Sequence, residues 1–151
     1  MPDLHDDIQK LIEASKDIAE FADFGDGVSR EWIDKAEQRL GFKLPNSYKW
    51  WLENYGGGEV CGQEIFSIYE QDFDQVVGGD IVYMHELNGK QGLYPPNYLV
   101  ICESDDDLFF FDLGKMSNDG EYPVYTGRPP EFYADNFLEF LRKRILYLRE
   151  S

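Results

Sequence analysis

Trp32-Ile33-Asp34-Lys35-Ala36-Glu37-Gln38-Arg39-Leu40-Gly41-Phe42-Lys43-Leu44-Pro45-Asn46-Ser47-Tyr48-Lys49-Trp50-Trp51-Leu52-Glu53-Asn54-Tyr55-Gly56-Gly57-Gly58 reads as two helices punctuated by glycine. Ile33, Ala36 and Leu40 recur at helical spacing, and Ser29 just upstream is a good N-cap, so a helix is expected over 29–40. Gly41 suits the left-handed position past a helix end, and Phe42 behind it can fold back on the last turn. The fixed φ of Pro45 suits the first position of a second helix. Tyr48, Trp51, Leu52 and Tyr55 share one face of that helix, and the three glycines stop it. Trp50 falls on the opposite side, where it either packs against another element or stands as an exposed interface anchor.

Upstream, Leu4, Ile8, Leu11, Ile12, Ser15, Ile18 and Ala19 follow the same period and predict a helix over 3–21. Its first turn carries Asp3, Asp6 and Asp7, which favour the positive end of the helix dipole. Downstream of Gly58 the period turns towards two. Strands are expected over 59–61, 64–69, 98–102, 107–113 and 122–126, the third and fourth joined by an acidic turn into a hairpin. A helix is expected over 80–87 and another over 134–149, the latter striped by Phe137, Leu138, Leu141, Ile145 and Leu148. No repeat or linker divides the chain. The fold class is therefore α+β: a single domain over 1–151 with N-terminal helices and a C-terminal helix packed on a mainly antiparallel central sheet.

Thirty Asp and Glu against fourteen Lys and Arg give a net charge of −16. That balance argues against nucleic-acid and membrane partners, which attract basic surfaces, and favours capture of a cationic one. Eleven Phe, ten Tyr and three Trp supply a core, so disorder is not expected. The acidic start, Met1 to Asp7, has no apolar stretch, so no signal peptide is expected. With no apolar run of membrane-spanning length, the expected compartment is the cytoplasm. Cys61 and Cys102 lack metal-site or disulfide spacing. His5 lies in an acidic helix and His85 beside Glu86; neither belongs to a catalytic constellation, so no enzyme is expected. Asp105-Asp106-Asp107 and Asp72-Phe73-Asp74 depart from the calcium-loop pattern, and no metal or cofactor is expected. The acidic groups around the strands are the candidate partner-binding residues: Glu64, Tyr69, Asp72, Asp74, Glu103, Asp105, Asp106 and Asp107. Phe73 and Tyr83 are possible apolar anchors beside them, and Glu59 and Glu70 border the same strands.

The order Leu40-Gly41, Leu44-Pro45, Tyr48, Trp51-Leu52 and Tyr55-Gly56-Gly57 resembles the SUKH superfamily, which holds yeast cell-wall-assembly regulators of the Smi/Knr type and many bacterial immunity proteins. Pro96 to Ile101 is similar to that family's central strand, Leu108 to Asp112 to its partner, and Ala134 to Leu141 to its closing helix. Among bacterial members the chain looks most like the YobK-type antitoxins. The resemblance implies an immunity protein that neutralises a cognate polymorphic toxin, often a nuclease, by stoichiometric binding. The alternative it implies is a regulatory protein-interaction module. It transfers no binding residue, because the shared motif builds scaffold.

Overall fold

In the computed structural model, which describes residues 4–104 and 107–150, seven strands hydrogen-bond in chain order into one antiparallel sheet. They are β1 (Ala19–Phe21), β2 (Gly58–Val60), β3 (Gln63–Ile65), β4 (Tyr98–Glu103), β5 (Leu108–Asp112), β6 (Val124–Thr126) and β7 (Glu131–Ala134). Helix α1 (Leu4–Ala14) precedes β1, α2 (Arg30–Leu40) and α3 (Asn46–Tyr55) separate β1 from β2, α4 (Ile81–Gln91) separates β3 from β4, and α5 (Phe137–Arg149) closes the chain. The architecture is the expected α+β.

The glycine punctuation works as the sequence implies. Ser29 Oγ accepts the Trp32 N–H, and Gly41 takes φ 86° with its N–H on the Glu37 carbonyl. The turn between α2 and α3 is pinned from within: buried Glu37 accepts the Leu44 N–H at 2.7 Å and Lys49 Nζ at 3.2 Å. Pro45 sits one position earlier than expected, as the N-cap of α3. Asn46 is held there by its N–H on the Gly120 carbonyl and its side-chain amide on the Asp119 carbonyl.

The first helix is shorter than the 3–21 expectation. After Ala14 the Ser15 carbonyl accepts the Ile18 and Ala19 N–H groups, and Ala19, Glu20 and Phe21 then pair with Val60, Glu59 and Gly58. An apolar doublet such as Ile18-Ala19 fits either period, and sheet pairing decides it. Strand β7 was not anticipated, and α5 starts later than 134 because Asn136, not a residue further upstream, accepts the Glu139 N–H as its cap. Helix α4 runs past 87, through Gly89, to a left-handed Gly92, and Asp80 caps its start. The segment expected as a strand over 64–69 leaves the ladder after Ile65, bonding onward through the Phe66 N–H to Ile101.

Side chains alternate across the sheet. One face meets α3 and α5: Phe111 touches Tyr48 at 5.8 Å, Phe109 touches Phe140 at 5.1 Å, and Phe137 lies 5.0 Å from Tyr48 and 5.1 Å from Trp51. Ala19, Val60, Ile65, Leu99 and Val124 share that face by register and are buried. Helix α1 seals α5 through fully buried Ile8 and Ile12.

Candidate partner-binding surface

The opposite face carries the residues between those core positions. On β1, β2 and β3 these are Glu20, Glu59 and Glu64, and the register sets Glu20 opposite Glu59 and Glu59 opposite Glu64. Like charges directly across an antiparallel pair are destabilising, so this row of three carboxylates is a cost the fold carries. Glu64 accepts the Tyr69 hydroxyl at 2.5 Å, and that hydroxyl accepts the Gly79 N–H at 2.9 Å. A Cβ at Gly79 would lie 2.3 Å from the Glu64 carboxylate, so a side chain there would push Glu64 out of its place beside Tyr69. Burial, and after it the Glu64 bond, pushes the Tyr69 phenol up to about 12. Beneath it, fully buried Asp80 takes the Tyr69 N–H on one oxygen and the Val82 and Tyr83 N–H groups on the other.

Towards β7 the same face turns aromatic. Val100, Phe110, Tyr125 and Phe132 stand opposite one another across β4, β5, β6 and β7. The Tyr98 ring stacks on Phe110 at 3.8 Å, Tyr125 stacks beside it at 6.1 Å, and Phe132 meets Tyr125 edge-on at 6.0 Å. Phe110 is 1% exposed, whereas Phe132 at the sheet edge is 57% exposed. Lys115 donates to the Tyr125 hydroxyl at 2.8 Å, and the Arg128 guanidinium lies 4.5 Å from the Tyr94 ring. Between the halves, Glu103 accepts the Tyr94 hydroxyl at 2.5 Å.

The candidate residues do not converge on one patch. Glu64 and Tyr69 are bonded to each other, and the pleat places Glu103 on their side of the sheet. Asp72 and Asp74 lie in the segment beside α2 and α4 instead. There Arg39 bridges Asp74 at 2.7 Å and Glu86 at 2.8 Å, and it holds the Asp74 carboxyl below its usual range. Asp72 accepts the Asp74 N–H, and Phe73 packs edge-on against Trp32 at 5.7 Å. Tyr83 is half-buried at the start of α4. Asp107 turns to the helix-covered side, where buried Arg144 reaches it at 3.1 Å and also bonds Gln63. Asp105 and Asp106 lie outside the described residues. Glu20 was missed because its segment reads as helix, and Glu59 was seen only as a neighbour. The signal that finds them is strand pairing, which a sequence alone does not display.

Trp50 packs: it is half-buried among His5 at 4.8 Å, Tyr55 at 6.0 Å and Phe24 at 6.5 Å. His5 is exposed and stacks on that indole. His85 stands edge-on to Phe42 at 5.6 Å, and burial lowers its pKa. Cys102 is buried, which pushes its thiol up to about 11, while Cys61 is exposed at the β2–β3 turn. Among the described residues no group of three or more His, Cys, Asp or Glu is placed to hold a metal ion, and no helix is long and apolar enough to cross a membrane.

Five helices packed on an open antiparallel meander, with a sheet face split between carboxylates and aromatic rings, define the class as an α+β scaffold. The family follows from the chain: the SUKH_6 model, described as SMI1-KNR4 cell-wall, matches residues 30–141, and the protein belongs to that family. A solved structure of a protein from Pseudomonas syringae pv. tomato shares the fold, with a TM-score of 0.57 over 89% of this chain and 95% of that one at 14% identity.

Proposed function

We propose that this chain is an immunity protein, an antitoxin that binds a cognate bacterial toxin stoichiometrically in the cytoplasm and blocks it without turnover. The toxin it fits is a nuclease, whose nucleic-acid face is cationic. Membership of the SUKH_6 family supports the class. The observation that carries the surface is the Glu20–Glu59–Glu64 row, three carboxylates held opposite one another at a cost to the sheet. Asp74 and Asp107 are already occupied by Arg39 and Arg144, so they add less to the attraction than the row does. The row steers a basic partner, and the rings beyond it offer apolar contact once the partner has docked.

Co-expression with the toxin encoded beside its gene tests the reading. The expected result is a one-to-one complex and rescued growth. Replacing Glu20, Glu59 and Glu64 together by Gln should slow association by about tenfold or more and flatten its salt dependence. A chain that neither binds nor rescues ends the immunity reading. A chain that rescues with an unchanged, salt-independent on-rate moves the interface elsewhere.

A further inference from the structure

Between the carboxylates and the rings the sheet surface dips. Glu103 stands opposite Leu108 across β4 and β5, and the Gly127 N–H on the Leu108 carbonyl sets Gly127 beside Leu108 at the end of β6. Gly127 brings no side chain to that position. The result is an open recess of about 390 Å³, lined by buried Leu108 and by Tyr94, Glu103, Ser104, Gly127 and Arg128. The Tyr94 hydroxyl donates to one Glu103 oxygen at 2.5 Å, and among the described residues the other oxygen has no partner. The Arg128 guanidinium lies 4.5 Å from the centre of the Tyr94 ring, yet among the described residues it makes no ion pair with Glu103.

A ring face and a carboxylate set on the same phenol are the two things a guanidinium recognises. Its plane stacks on an aromatic ring, and its N–H fork bonds a carboxylate. Arg128 makes the first contact and leaves the second open. We infer that the recess takes an arginine side chain of the partner, and that Arg128 occupies the Tyr94 face only in the free protein. The incoming arginine displaces Arg128 from the ring and pairs with Glu103 as well, so it gains more than Arg128 gives up. A lysine can meet Glu103, but its compact ammonium gains less from the ring plane. The Glu20–Glu59–Glu64 row draws any cationic surface inwards, and the recess then sorts arginine from lysine. That the arginine belongs to a toxin rests on the immunity reading; the chemistry of the recess does not.

Nuclear magnetic resonance titration with N-acetyl-arginine amide and N-acetyl-lysine amide, which carry the same single charge, tests it. The arginine amide is expected to shift the Tyr94 ring and the Leu108 and Gly127 amides saturably, and to bind about threefold or more tighter than the lysine amide. Glu103→Gln should weaken arginine binding by about tenfold. Arg128→Gln should tighten it by about twofold to fivefold, because the internal competitor is gone. Arg128→Lys keeps the charge and gives up the planar stack, so it should tighten arginine binding too. Both side chains are exposed, and an otherwise unchanged amide spectrum confirms the fold. Equal binding of the two amides, shifts that fall outside the recess, or Arg128 variants that bind arginine no tighter would each overturn the inference. No toxin enters the titration, so such a result leaves the immunity reading standing. A chain that binds arginine as expected but neither binds nor rescues against the toxin keeps the recess and loses that reading.

Discussion

The two halves of the outer sheet face are made by the same pleat and end in opposite chemistry. On β1, β2 and β3 the outward positions are Glu20, Glu59 and Glu64; on β4, β5, β6 and β7 they are Val100, Phe110, Tyr125 and Phe132. The inward positions show no such division, since Ala19, Val60, Ile65, Leu99, Phe111 and Val124 are all apolar and buried. The inner face is decided by folding, because every element above it needs apolar area. The outer face meets that demand only in its aromatic half, where Val100 and Phe110 are each 1% exposed, and its acidic half buries no apolar side chain in the row. The aromatic row stabilises the sheet, as cross-strand rings do, and the carboxylate row opposes it.

The largest test concerns the aromatic half alone. Phe110→Ala should cost about 3–5 kcal/mol, because a ring sealed beneath Tyr98 leaves a cavity. Phe132→Ala, two strands along the same row, should cost about 0.5 kcal/mol, because its ring is mostly in water already. Urea unfolding of the two variants measures the difference. Equal costs would mean that the row acts as one packed unit and has no exposed end to offer a partner.

A smaller effect of opposite sign is expected in the acidic half. Glu59 faces a like charge on each side, so Glu59→Gln should stabilise the fold by about 0.5 kcal/mol while slowing capture of a cationic partner. Urea midpoints and stopped-flow association read the two consequences separately. Destabilisation by this change would show that the row is held by compensating contacts, and the contrast between the halves would lose its energetic basis.

Much of the scaffold was legible because local rules and tertiary packing agree there. Ser29, Gly41 and the Tyr48, Trp51, Leu52, Tyr55 face act as their types and spacing demand. The edges of the sheet were not legible. Ala19–Phe21 and Glu131–Ala134 are short strands that gain their structure from a neighbour, and no periodicity separates three or four residues from a helix turn or a loop. The surface failed for the same reason. Glu59 and Glu64 are close in sequence, but Glu20 joins them only through pairing with Glu59, 39 positions later. Asp74 and Asp107 looked like free charge until Arg39 and Arg144, remote in sequence, were seen to hold them.

The smallest expected effect sharpens the comparison at high pH. Tyr69 ties the acidic half to α4 through Glu64, Gly79 and Asp80, and its phenol is raised to about 12 in the fold, first by burial and then by the Glu64 bond. In the unfolded chain a tyrosine releases its proton near 10, so below about pH 10 this contribution is fully present. Between about 10 and about 12 the unfolded state ionises while the folded state resists, and stability drains away as pH rises. Spectrophotometric titration of the phenols should show a late step, to which buried Tyr48 and Tyr55 also contribute, that loses one phenol in Tyr69→Phe. The same variant should flatten the alkaline loss of stability while lowering stability at neutral pH, because Glu64 and the Gly79 N–H lose their shared partner. Phe132→Ala should leave both the late step and the alkaline slope unchanged, since among the described residues no side-chain hydrogen bond joins that end of the ladder to the Glu64 corner. A Tyr69 that titrates near 10 would show the Glu64 corner to be open to water. The carboxylate row would then be a mobile fringe, not a fixed array able to present its three charges in register.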